Sequence, residues 1–203
     1  MKVNIAELER RLKDAEEAVR RVLGKSSLTD SLTAFENVAS AQRALAAATG
    51  QDYAVRYDIG FVPEAAVSGP VLLQTDYRCF LTFNAMRVMP DGKREDAGRG
   101  TVECRGCSIT KFGYPNDEAL PGHPLYKRGL NAYGVFEVKN SVWIKQMTEQ
   151  NRVAFPMTKD STSRHFIFTF HDSAFECVTD ELSATLNGPS LEHIFNQLTK
   201  DAD

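Results

Sequence analysis

A chain of 203 residues with 42 % apolar and 25 % charged residues can bury a sizeable core without covalent staples. Its net charge of −3 and pI near 5.9 weigh against a dedicated nucleic-acid binder, because phosphate binding draws on clustered Lys and Arg. No apolar run reaches membrane-spanning length and the N-terminus is charge-dense, so the expected setting is cytoplasmic, with no membrane association.

Between Val3 and Leu23 the apolar residues Ile5, Leu8, Leu12, Ala15, Val19 and Val22 recur three and four apart, the seam of a helix packed on another helix. Glu7–Arg11, Glu9–Lys13, Glu16–Arg20 and Glu17–Arg21 place an acid four residues before a base, the favourable orientation. Gly24 offers a stop. A second helix is expected over 28–48, entered through Ser27 with Asp30 three residues on and closed by Gly50. Residues 1–50 thus read as an αα-hairpin whose seam is either filled by the second helix alone or also packs against a second copy, making a homodimer.

After Gln51 the pattern changes to strands punctuated by Gly and Pro. Strands are expected over 54–61, 71–89, 100–111, 133–138, 165–170 and 175–182. A helix over 141–151, capped by Asn140, and a short helix over 191–198 complete the body. The fold class is therefore α+β: an N-terminal αα-hairpin, then a mostly antiparallel β-sheet body over 51–203 with one or two further helices packed on one side. Within RHFIFTFHDSAFECVTDEL, Phe166, Phe168 and Phe170 share a core face, while His165, Ile167, Thr169 and His171 share a half-exposed one. A four-residue turn over 171–174 would set Phe170 opposite Phe175, Phe168 opposite Cys177, Thr169 opposite Glu176 and His165 opposite Asp180.

The irregular segment 112–129, FGYPNDEALPGHPLYKRG, is too long for a simple connection and reads as a binding loop or lid. Pro115, Pro121 and Pro124 stiffen it. Tyr114 and Tyr126 can wall a small pocket, and Asn116, Asp117, Glu118 and Arg128 can supply its polar contacts. Asp117, Glu118 and His123 carry metal-type donors, but no recognised ligand spacing occurs, so neither metal nor cofactor is assigned.

Candidates for proton transfer are His171 with the adjacent Asp172, His123, and Glu137, whose apolar strand would bury it and raise its pKa. Cys104-Arg-Gly-Cys107 is a CxxC pair, but in a strand its sulfurs would face opposite sides, so it reads as structural. With Cys79 and Cys177 it is expected to supply buried free thiols. Trp143 anchors its helix to the sheet, and Asn84 bonds a neighbouring loop. There is no GxGxxG, Walker loop or GxSxG elbow, which argues against Rossmann, P-loop and α/β-hydrolase enzymes. These residues support a protein that binds a small ligand or a protein partner at the 112–129 loop. The alternative is a small His/carboxylate hydrolase or lyase, with or without a divalent metal, and a third class is a defence- or toxin-associated interaction protein.

Overall fold

The computed structural model describes residues 4–23 and 28–200, so the stop at Gly24 and the cap at Ser27 lie outside the described residues. Helix α1 (Ile5–Val22) starts at Asn4, whose side-chain oxygen accepts from the Glu7 amide at 3.4 Å. It packs on α2 (Leu28–Ala48), and none of its residues is buried. Glu17–Arg21 pairs as the spacing requires, at 3.4 Å, whereas Glu7 takes Arg10 instead of Arg11, at 2.8 Å. Both pairs are too exposed to decide the fold.

The body is two five-stranded antiparallel sheets. In the first, the order is β1 (Tyr53–Arg56), β7 (Gly134–Lys139), β8 (Arg164–Thr169), β9 (Ala174–Thr179), β6 (Ile109–Gly113). In the second, β10 (Glu181–Leu186) pairs β5 (Arg94–Arg105), which pairs β4 (Arg78–Val88). The far edge of β4 carries β3 (Val71–Gln74) and β2 (Val62–Pro63). The expected run 71–89 is thus two strands, broken by a turn in which the Thr75 amide bonds Arg78. Likewise 100–111 is split after Arg105, where Gly106 (φ +63°) turns the chain from the second sheet into the first. The run 175–182 is split at Asp180, where it crosses back. Both crossings are short, so pattern alone cannot separate one long strand from two in different sheets.

Alternation decides what faces inward. Leu81, Phe83 and Val102 of the second sheet meet Val135, Phe166, Phe168 and Phe175 of the first in a dry core. Phe83 lies at the centre, with its ring 5.9 Å from Phe61, 6.2 Å from Phe168 and 5.3 Å from Phe170. A second cluster covers the outer face of the first sheet, where Leu120, Leu125 and Leu130 pack on Ala54, Phe136, Val138 and Ile167. The long segment therefore carries apolar anchors, seated through one-turn 3₁₀ helices at Leu120–Gly122 and Tyr126–Arg128. Helix α3 (Val142–Ala154) lies against β8 on this same face. Helix α4 (Leu191–Lys200) buries Ile194 beside Phe80 and Thr101 of the other sheet.

The β8–β9 hairpin keeps the expected faces but not the expected register. Phe168 lies opposite Phe175, Phe166 opposite Cys177, Ile167 opposite Glu176 and His165 opposite Val178. The Phe170 amide bonds the Ser173 carbonyl at 2.8 Å, so His171 and Asp172 are the central turn residues. Moving the turn centre back one residue shifts the pairing by two, which preserves face parity and leaves the phenylalanines in the core. The histidine face is also not half exposed, because His165 (5 %) and Thr169 (1 %) are buried under the loop and α3. No described helix is long and apolar enough to cross a membrane.

Candidate functional site

The 112–129 segment is fixed to the β8–β9 hairpin by two histidine–carboxylate contacts, each joining one loop residue to one hairpin residue. The first lies at the hairpin turn. Asp117 Oδ2 accepts from Tyr133 Oη, and His171 Nδ1 stands 2.9 Å from the same oxygen. The backbone repeats the link, with the Asp117 amide bonded to the His171 carbonyl at 2.9 Å. Tyr133 and His171 hold the Asp117 carboxyl below its ordinary range, and Asp117 in turn raises His171 and Tyr133. The expected partner Asp172 is 88 % exposed and reaches His171 only at 4.0 Å, because neighbours in a tight turn point apart. Asp117 takes the role assigned to Asp172.

The second contact lies mid-strand, on the outer face. Glu176 of β9 projects between Lys111 of β6, its cross-strand partner, and His165 of β8. The loop delivers His123 from above. Lys111 Nζ is 3.2 Å and His123 Nε2 3.6 Å from Oε1, and His165 Nε2 is 3.4 Å from Oε2. Burial acts to raise the Glu176 pKa. The imidazoles and Lys111 outweigh it and hold the carboxyl far below the ordinary range, so Glu176 is a charged acceptor rather than a proton donor.

Proton positions follow from the neighbours. His123 Nδ1 accepts from the Leu125 amide at 3.1 Å, so the neutral ring carries its proton on Nε2, aimed at Glu176. Ser141 caps α3, its Oγ accepting from the Ile144 amide at 3.2 Å, and the same Oγ lies 2.9 Å from His165 Nδ1. The serine hydroxyl can donate to Nδ1 or accept from it, and the anionic Glu176 carboxylate 3.4 Å from Nε2 favours the tautomer with the proton on Nε2. This nitrogen is within electrostatic reach of the carboxylate but out of hydrogen-bond alignment. Among the described residues it is the buried side-chain polar atom left without a partner.

Around these groups lies a cleft of about 340 Å³, lined among others by Asp52, Lys111, His123, Trp143, His165 and Glu176. The Trp143 ring meets His165 edge-on at 5.2 Å, so the tryptophan anchors α3 and walls the cleft together. Arg128 binds Asp52 at 2.5 Å and the Pro124 carbonyl at 3.1 Å, which ties the loop to the start of β1. A slightly larger groove of about 380 Å³ flanks the other side of α3. Several of its charges are matched, Glu137 with Arg164 and Lys139, and Arg152 with Asp160.

Several expected roles change. Glu137 is not a carboxyl of raised pKa: a two-point contact with Arg164 (3.0 and 2.9 Å) and Lys139 at 2.7 Å lower it despite partial burial. Asn140 (φ +55°) turns the chain into α3, and the cap itself is Ser141. Asn116 closes a local turn by accepting from the Ala119 amide at 3.1 Å. Tyr114, Glu118 and Tyr126 are exposed on the loop's outer side. Of the candidate ligand-binding and catalytic residues, His123 lines the cleft and Arg128 braces it, and Trp143, expected as a helix anchor, forms its wall. His165 and Glu176 are legible as a histidine and a carboxylate on the hairpin beside His171, but not as partners of each other, and Lys111 carries no signal of its own. Asn84 does bond a neighbouring loop, at the Val67 carbonyl, 2.8 Å away.

Among the described residues no group of three His, Cys, Asp or Glu side chains is arranged to hold a metal ion. No protein-family model matches the chain, and neither a curated protein nor a solved structure matches it significantly.

Proposed function

We propose that the protein binds a small polar ligand in the cleft between the 112–129 loop, α3 and the outer face of the first sheet. The observation that carries this reading is His165 Nε2, a buried donor without a partner beside an aromatic wall and an anionic Glu176. A ligand oxygen reaching that N–H relieves the cost of leaving it unmade, and Glu176 offers an acceptor for a ligand donor. Trp143 is the sole tryptophan, so its emission reports the cleft directly. Pooled small polar metabolites titrated against the full chain should include at least one that changes Trp143 emission saturably, with the change abolished in Glu176→Gln. Failure of every pool, or an unchanged response in that variant, overturns the reading.

A second reading rests on the hairpin turn. His171 is oriented through Nδ1 by Asp117 and leaves Nε2 toward solvent, with its side chain 44 % exposed, an arrangement suited to general-base chemistry. Hydrolysis of activated esters by the wild type, lost in both His171→Asn and Asp117→Asn, supports it. Equal rates in all three proteins dispose of it. For the α1–α2 hairpin we propose a pairing role, motivated by a seam in which Leu8, Leu12 and Val19 remain only partly covered.

A further inference from the structure

All four cysteines of the chain meet at one corner of the core, although they lie at positions 79, 104, 107 and 177. Each is at most 1 % exposed. This corner is where the chain crosses between the sheets, from β5 to β6 through Gly106 and from β9 to β10 at Asp180. Because Gly106 bends the chain just after β5, Cys104 and Cys107 both turn into the core, contrary to what a continuous strand would impose.

The CxxC sulfurs are not each other's nearest partners. Cys79 Sγ is 3.7 Å from Cys107 Sγ, and Cys104 Sγ is 3.7 Å from Cys177 Sγ. A disulfide needs about 2.05 Å, so each sulfur must move by about 0.8 Å, within reach of small side-chain rotations. We infer that the four thiols form a latent pair of disulfides, Cys79–Cys107 and Cys104–Cys177, which close on reaction with a small disulfide such as oxidised glutathione. The second bond joins β5 of one sheet to β9 of the other, and the first fixes the crossing turn to β4.

The chemistry balances within each pair. A cysteine thiolate attacks one glutathione sulfur, the glutathione S–S bond breaks and a glutathione thiolate leaves. The partner cysteine, as its thiolate, then attacks the protein-side sulfur of the mixed disulfide and expels the second glutathione thiolate. Two cysteines thereby lose two protons and two electrons, and one oxidised glutathione becomes two reduced molecules.

The test is refolding of the reduced full-length chain with oxidised glutathione, so that burial of the thiols cannot block access, followed by intact mass and non-reducing peptide mapping. The expected result is a loss of about 4 Da with only the two stated linkages, and a higher denaturation midpoint than the reduced protein. A Cys104–Cys107 linkage, stable glutathione adducts, or an unchanged mass overturns the inference. So does a stoichiometric metal adduct that protects the thiols from oxidised glutathione.

Discussion

Replacing Glu176 by Gln preserves shape and removes the charge on which Lys111, His123 and His165 converge. Lys111 has a side chain 55 % exposed, so its share is below about 1 kcal/mol. The two imidazole contacts, at 3.4 and 3.6 Å, lie outside hydrogen-bond geometry, so each acts on the buried carboxylate only electrostatically, at about 1 kcal/mol. The neutral glutamine forgoes both, and its amide group adds a donor to a donor-rich wall. The net loss is about 2 kcal/mol at neutral pH. For a chain of this size that lowers the melting temperature by about 4–8 °C. The pH dependence has a definite sign. A carboxyl whose folded pKa is depressed stabilises the fold fully above its unfolded value of about 4.3 and loses that contribution as pH falls toward the folded value. Thermal melts of both proteins should therefore differ by a constant gap between about pH 5.5 and 7.5, and the gap should begin to narrow near about pH 4.3 and shrink steadily as the pH falls further. A variant that melts within about 1 °C of wild type at neutral pH, or a gap that persists undiminished in acid, refutes the role given to Glu176.

Asp117→Asn should move the His171 titration, followed by NMR, down toward the unperturbed value of about 6.5. Because the His171 pKa is raised and that of Asp117 lowered, stability from this pair is complete between about pH 4 and 6.5, and is lost as pH rises through the folded His171 value or falls through the folded Asp117 value; an unmoved titration contradicts the pairing. Phe83→Ala should cost about 3–5 kcal/mol in chemical denaturation, since the ring sits among Phe61, Phe168 and Phe170 and leaves a cavity that two stacked sheets cannot close. Gly129→Ala should destabilise the loop, because Gly129 adopts φ +103° and a Cβ there collides with the Ala54 carbonyl oxygen; hydrogen exchange no faster over 112–130 than in wild type would count against this. If the α1 seam pairs two copies, native mass spectrometry gives a dimer that Leu8→Glu with Leu12→Glu reduces to monomer at unchanged helicity, and a monomeric wild type removes the pairing role.

What the sequence reveals follows from how local each determinant is. The helices over 5–22 and 28–48 and the faces of β8 depend on spacing within one segment, and both are as expected. The loop was conspicuous through its prolines and polar residues, yet Leu120 and Leu125, which seat it, carry no periodic signal of their own. From sequence, Glu176 is one of several carboxylates near His165 and His171 on the hairpin. Its meaning comes from Lys111 across the ladder, His165 beside it and His123 from the loop, three neighbours distant in sequence. His165 was placed on the correct face, but its burial depends on Ser141 and Trp143 at the start of α3. The cysteines could be expected to be buried individually. Their meeting depends on where the chain changes sheets, which short breaks at Gly106 and Asp180 do not announce.

The most direct test of ligand binding in the cleft is NMR of the imidazole and indole N–H groups of the full chain, recorded with and without the pool that alters Trp143 emission. The account predicts that His165 carries its proton on Nε2 in the free protein and that the His165, His123 and Trp143 signals move together on binding. Signals that stay fixed there while His171 and Tyr133 shift, or a His165 ring protonated on Nδ1 alone, would contradict it.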